Sequence, residues 1–142
     1  MSDQSPIDGL TFRIHHTMLP VADLERSIDF YTRLLGMALM GRRHNEARRT
    51  DVAHVGYGDR ATQPSLEITK DASGAAPARI GPTGIHVAIH TNDVRRLCTI
   101  LEREGVDIAQ PPTGRPGSRN LTAWIRDPDG HEIELQERHP EP

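Results

Sequence analysis

The feature that most constrains this chain is a repeat with a period of about 70 residues. In the first half, His16 stands in the strand-like run FRIHHTMLPV, and Asp23 opens a helix-like segment seven residues later. In the second half, His86 stands in GIHVAIHT, and Asp93 again follows seven residues later. A strand-like glutamate comes next in each half: Glu67 in SLEIT, 51 residues after His16, and Glu134 in HEIELQER, 48 residues after His86. That period is too long for a solenoid unit, and 142 residues are about one domain. The pattern therefore predicts a single domain over 1–142 of class α+β, built from two βαβββ modules at about 11–70 and 82–139.

Local signals agree with that division. DLERSIDFYTRLLG places Leu24, Ile28, Tyr31 and Leu35 at spacings of four, three and four, one apolar helix face, with Asp23 as N-cap and Gly36 as the stop. NDVRRLCTILEREG repeats the design, with Val94, Leu97, Cys98 and Leu101 on the apolar face and Gly105 at its end. MALMGRR and TDVAHVGYG in the first half, and VDIAQ and NLTAWIR in the second, read as further strands. KDASGAAPARIGP, residues 70–82, is rich in Ala, Gly and Pro and has no period, so it reads as a linker.

Composition excludes several classes. A net charge of −3 gives no drive toward nucleic acid or an anionic membrane. The single cysteine, Cys98, rules out an intrachain disulfide and a multi-cysteine zinc site; on its helix face it reads as a buried, inert thiol. No apolar run is long enough to cross a bilayer, and the opening MSDQSPIDG has no basic or apolar region of a signal peptide. The expectation is a cytoplasmic protein. Its eight histidines are then the informative residues.

Strand parity selects among them. Ile14, His16 and Met18 share a face, as do His86, Ala88 and His90, while Glu67 and Glu134 each sit between apolar neighbours that point the other way. A lone strand histidine usually bonds a neighbour, and a lone strand glutamate usually faces water. Four such residues in register have a common cause. His16, Glu67, His86 and Glu134 make a mixed N/O ligand set for a divalent metal of the nickel, cobalt, zinc or iron kind. His90 shares the face of His86 and is a candidate pocket residue. His15, His44, His54, His131 and His139 read as structural or solvent-facing.

The stretches HTMLPVADLERSIDFYTRLLGM, HVGYG, SLEIT, GIHVAIHTNDV and DPDGHEIEL resemble glyoxalase I of the vicinal oxygen chelate superfamily. The resemblance runs from about Ile14 to Glu137, and its most specific part is His16 through Met37. It implies a cupped, barrel-like mixed sheet made by the two modules. It also implies a homodimer whose sites each take one His–Glu pair from each chain, with nickel or cobalt preferred over zinc or iron. The implied reaction isomerises the hemithioacetal of methylglyoxal and a thiol, for which glutathione is the expected carrier, to a lactoyl thioester through an enediolate. The family assigns the proton transfer to the second-module glutamate, here Glu134, with Glu67 as the other candidate. The rival readings are another superfamily activity, epimerase or extradiol-type dioxygenase, and a non-catalytic binding or resistance protein.

Two positions depart from the family pattern. An arginine commonly stands four residues after the first histidine, and here that residue is Pro20; an asparagine commonly stands four after the first glutamate, and here it is Asp71. Both family residues help hold glutathione. Arg42, Arg43, Arg48 and Arg49 crowd one segment, and Arg115 and Arg119 flank a Gly/Pro loop. Arginine forks suit carboxylates, so Arg42, Arg43 and Arg115, with His90, are the candidate substrate-binding residues. A solvated basic edge is the alternative reading of any one of them.

Overall fold

The computed structural model describes residues 5–74 and 76–140. The first four residues of the polar leader, and one residue of the 70–82 stretch, lie outside the described residues. The first half contains β1 (His16–Pro20), α1 (Leu24–Asp29), β2 (Ala38–Asn45), β3 (Thr50–Gly56) and β4 (Ser65–Asp71). The second contains β5 (Val87–His90), α2 (Val94–Arg103), β6 (Ile108–Thr113), β7 (Leu121–Arg126) and β8 (Glu132–Glu137). Both helices start where their aspartates predict. The Asp23 carboxylate accepts from the Arg26 N–H at 3.0 Å, and that of Asp93 from the Arg96 N–H at 2.9 Å.

The first helix does not stay α-helical to its end. After Asp29 the chain widens into a π-helical turn, Phe30–Leu34, in which the Thr32 hydroxyl donates to the Ile28 carbonyl at 2.6 Å. The predicted face is covered: Leu24, Tyr31 and Leu35 are buried and Ile28 packs against the core, and Ser27 and Phe30 widen the buried surface.

The strands form two four-stranded sheets, ordered β1-β4-β3-β2 and β5-β8-β7-β6. The β1–β4 and β5–β8 pairs are parallel and the rest antiparallel, so both sheets are mixed. The α+β class and the mixed sheets are as expected. The barrel is not closed, because each sheet pairs only strands of its own half and β1 and β5 remain edge strands.

Each sheet has one covered face and one open face. Leu19, Ala53, Val55 and Ile68 of the first sheet, and Ala123, Ile125, Ile133 and Leu135 of the second, are fully buried with helix residues such as Tyr31, Val94 and Leu101. Full burial of one such large aliphatic side chain stabilises by roughly 1.5–3 kcal/mol. Residues of opposite parity are left on the open faces, and these include every candidate ligand. Met18, next to the fully buried Leu19, is 51% exposed.

A polar bolt ties the second half to the first. In the turn DPDGH, the Asp127 carboxylate accepts from the N–H groups of Asp129 and His131 at 2.9 and 2.8 Å, and its other oxygen accepts from the Tyr31 hydroxyl at 2.7 Å. Asp129 accepts from the Ala22 N–H at 2.9 Å and the Ser27 hydroxyl at 3.3 Å, both at the start of the first helix. The Ile80 N–H donates to Nδ1 of His131 at 3.1 Å, so its proton sits on Nε2, which donates to the Pro20 carbonyl at 2.7 Å. Gly130 allows the turn, with φ +84° in the left-handed region. Of the two expectations for His131, structural or solvent-facing, its full burial and two ring hydrogen bonds fit the first.

Candidate metal centre

On the open face of the first sheet, β3 and β1 flank the central strand β4. Register places His54 and Met18 directly beside Glu67. Nε2 of His16 lies 3.3 Å from Oε2 of Glu67, Nε2 of His54 lies 3.4 Å from the same oxygen, and the Arg43 guanidinium stands 3.7 Å away. The His54 ring is almost wholly buried, and its Nδ1 is 2.9 Å from the Ser65 hydroxyl. Burial pushes the His54 pKa below its ordinary value, with the nearby Arg60 charge acting the same way and Glu67 opposing. His15 adds a contact at 2.8 Å between its Nδ1 and that of His16.

The second half repeats the geometry. His86 directly precedes β5, and its Nε2 is 3.1 Å from Oε2 of Glu134 on β8. The other oxygen of Glu134 accepts from the Gln136 amide at 2.7 Å. Trp124, in register with Glu134 on β7, packs edge-on against the His86 ring at 4.9 Å between centroids.

The four expected ligands are thus brought together in two pairs, one per sheet. Among the described residues no three His, Cys, Asp or Glu side chains are arranged to hold a metal ion. Each pair nevertheless sets an imidazole nitrogen within 3.3 Å of a carboxylate oxygen. Nδ1 of His86 lies 3.3 Å from the Gly84 carbonyl and Nε2 lies 3.1 Å from the Glu134 carboxylate, and both partners only accept. A cation between Nε2 and the carboxylate would take the place of a proton there and leave Nδ1–H to the carbonyl, the arrangement of a metal-bound imidazole.

The candidate substrate residues are dispersed. Arg43 reaches Glu67. Arg42, its neighbour on β2, points to the helix-covered side and pairs with Glu25 of α1. The Nε2 of His90 lies 3.4 Å from the backbone N–H of Arg138. Arg115 is exposed in the loop between β6 and β7. His44 pairs with Asp51 at 2.7 Å and His139 with Glu137 at 2.7 Å, both consistent with supporting roles. Beside Glu67 lies an open cleft of about 460 Å³, lined by Met18, Pro20, Arg43, Arg48, Thr69 and Asp71 among others. The two positions that depart from the family pattern therefore share one cleft with two arginines. The Thr69 hydroxyl in its wall is buried with no partner among the described residues.

The model of the Glyoxalase/Bleomycin resistance protein/Dioxygenase superfamily matches residues 13–135. The chain belongs to this superfamily. Its relatives sharpen the likeness toward glyoxalase I. A probable lactoylglutathione lyase of Vibrio cholerae is 36% identical over 123 residues, covering 87% of this chain and 88% of the relative. The lactoylglutathione lyase of Escherichia coli O157:H7 is 34% identical over 125 residues, covering 88% and 92%. Among solved structures, the trypanothione-dependent glyoxalase I of Leishmania major superposes with a TM-score of 0.77 at 31% identity, covering 89% of this chain and 87% of that one. Glyoxalase I of Zea mays superposes with a TM-score of 0.79 at 31% identity, covering 92% of this chain and 46% of that one. The glyoxalase I resemblance seen in the sequence is borne out, and the named relatives are lyases.

His54, grouped in the sequence with the structural or solvent-facing histidines, is buried beside Glu67; that placement follows from the β3–β4 register, which strand parity does not supply.

Proposed function

We propose that this chain is a metal-dependent lactoylglutathione lyase that converts the hemithioacetal of methylglyoxal and a thiol to a lactoyl thioester. The observation that carries this is the His86–Glu134 pair, with Nε2 3.1 Å from the carboxylate and Nδ1 beside a backbone carbonyl that would hold its proton. His16 with Glu67 and His86 with Glu134 would hold the metal, two from each chain of a homodimer, since one chain presents them as separate pairs. A divalent ion of the nickel, cobalt, zinc or iron class, nickel or cobalt preferred, would supply a Lewis acid that acidifies the substrate C–H bond and stabilises negative charge developing on its oxygens.

Glu134 is the proton carrier. The Gln136 amide holds its Oε1 and, among the described residues, only His86 faces its Oε2, so Oε2 would take the proton from one carbon and return it to the next. Glu67, the other candidate, is already faced by Arg43 and by two histidines. The cleft beside Glu67 receives the thiol carrier, with Arg43 and Arg48 available to its carboxylates and the Thr69 hydroxyl to a further polar group. Glutathione is the expected carrier. No helix among the described residues is long and apolar enough to cross a membrane, and the cytoplasm is the proposed compartment.

Metal analysis of purified protein, coupled to an assay on the methylglyoxal–glutathione hemithioacetal, tests the proposal. His16→Ala and His86→Ala should each lose most bound metal together with activity. Full stoichiometric metal in both variants would show that the ligand set is wrong. Metal binding without turnover would favour another activity or a binding role within the superfamily.

A further inference from the structure

In both halves, the residue that faces the glutamate from the neighbouring antiparallel strand also packs its ring against the paired histidine. Trp124 does this to His86. His54 does it to His16, with ring centroids 5.7 Å apart and planes at 82°. His54 adds a polar function that Trp124 cannot offer, since its Nε2 approaches Oε2 of Glu67. We infer that His54 is a positioning residue: Ser65 sets its tautomer, and its Nε2–H then fixes the Glu67 carboxylate while its ring fixes the plane of His16. The inference extends the metal reading above and names a residue outside the four ligands.

The tautomer follows from counting donors. The contact between His54 Nδ1 and Ser65 Oγ is 2.9 Å and buried, so one of the two atoms donates to the other. If Nδ1–H donated, Nε2 would turn a lone pair toward the carboxylate in a nearly water-free place, which is costly. If the Ser65 hydroxyl donates to Nδ1, the proton sits on Nε2 and turns the positive edge of the ring toward the carboxylate. The second arrangement replaces a repulsive approach by an attractive one. At 3.4 Å the approach to Glu67 is longer than a good hydrogen bond, so its effect is to steer the carboxylate electrostatically. Groups that orient metal-binding carboxylates and imidazoles in this way commonly change metal affinity about 10- to 100-fold when removed.

Two measurements on the full-length protein test this. The first is the long-range proton–nitrogen correlation spectrum of the metal-free protein, with His54 assigned by its absence in His54→Phe. The expected result is a protonated Nε2 and a bare Nδ1, with the pattern disturbed in Ser65→Ala. A protonated Nδ1 would overturn the inference. The second is calorimetric titration with nickel ions. His54→Phe keeps a ring against His16 but loses the donor, and should bind nickel about 10-fold more weakly; His54→Ala loses both and should approach 100-fold. His54→Gln, which restores a donor, should recover part of the loss, while thermal midpoints serve as the control for simple destabilisation. Wild-type nickel affinity in a folded His54→Phe would also overturn the inference. The spectrum needs no metal, so it decides the role of His54 even if the wild type takes up no nickel, the result that would sink the metal reading itself.

Discussion

Tyr31→Phe removes one oxygen from the bolt between the two halves and leaves the packing intact. The Tyr31 ring is fully buried, and its hydroxyl donates to Asp127 at 2.7 Å. Burial, reinforced by the adjacent Asp127 charge, holds the phenol well above its ordinary pKa, so it stays protonated and is the donor. Without it, Oδ2 of the 5%-exposed Asp127 loses its donor while Oδ1 keeps the N–H groups of Asp129 and His131. A hydrogen bond to a charged, buried group is worth about 1.5–3 kcal/mol. For a chain of this length that lowers the thermal midpoint by roughly 5–10 °C. The loss must also depend on pH. Burial raises the Asp127 carboxyl above its usual range, and the Tyr31 bond pulls it back. A carboxyl raised on folding contributes stability below its unfolded value and loses it as pH rises through its folded value. Removing the hydroxyl raises the folded value further, so that loss becomes larger. The deficit of Tyr31→Phe should therefore be small at about pH 3, below the unfolded aspartate value, where the acid is neutral in both states, and full at neutral pH. Urea unfolding of both proteins at the two pH values measures it. A deficit under about 0.5 kcal/mol at neutral pH, or one that shrinks as pH rises, would refute this account of the bolt.

Three further outcomes are expected. Glu134→Gln keeps the volume and an oxygen donor but removes the base, so kcat should fall by about 10²–10⁴ with bound metal reduced far less; near-normal turnover would move the base to Glu67. Burial, helped by Glu102, pushes the Cys98 thiol above its ordinary pKa, so a disulfide reagent at neutral pH should leave the native protein unlabelled and titrate one thiol per chain after unfolding. Arg48→Ala should raise KM for the glutathione hemithioacetal about 10-fold at nearly constant kcat, and Asp71→Asn should lower it; steady-state kinetics of the two variants show whether the cleft beside Glu67 holds the carrier.

What the chain shows in one dimension is parity, and parity was enough to find the open faces. His16 and Met18 had to lie opposite Leu19, and Glu67 opposite Leu66 and Ile68, whatever the strands paired with. Parity also says that adjacent arginines on a strand cannot serve one site. Arg43 turns to Glu67 and Arg42 to Glu25, so only one of the two can meet a ligand in the cleft. Features that depend on registration between distant segments were hidden. His54 meets Glu67 because the 57–64 connection fixes the β3–β4 pairing, and nothing in HVGYG alone measures that offset. The partners of DPDGH, Pro20 and Tyr31, lie about 100 residues upstream, so nothing local in the motif marks it as a bolt. The widened turn after Asp29 was hidden for a related reason. The 3.6-residue stripe through Leu24, Ile28, Tyr31 and Leu35 does face the core, but the Asp127 and Asp129 carboxylates also draw in Ser27 and anchor the Tyr31 hydroxyl. Tertiary hydrogen bonds therefore widen the buried face beyond what apolar periodicity marks.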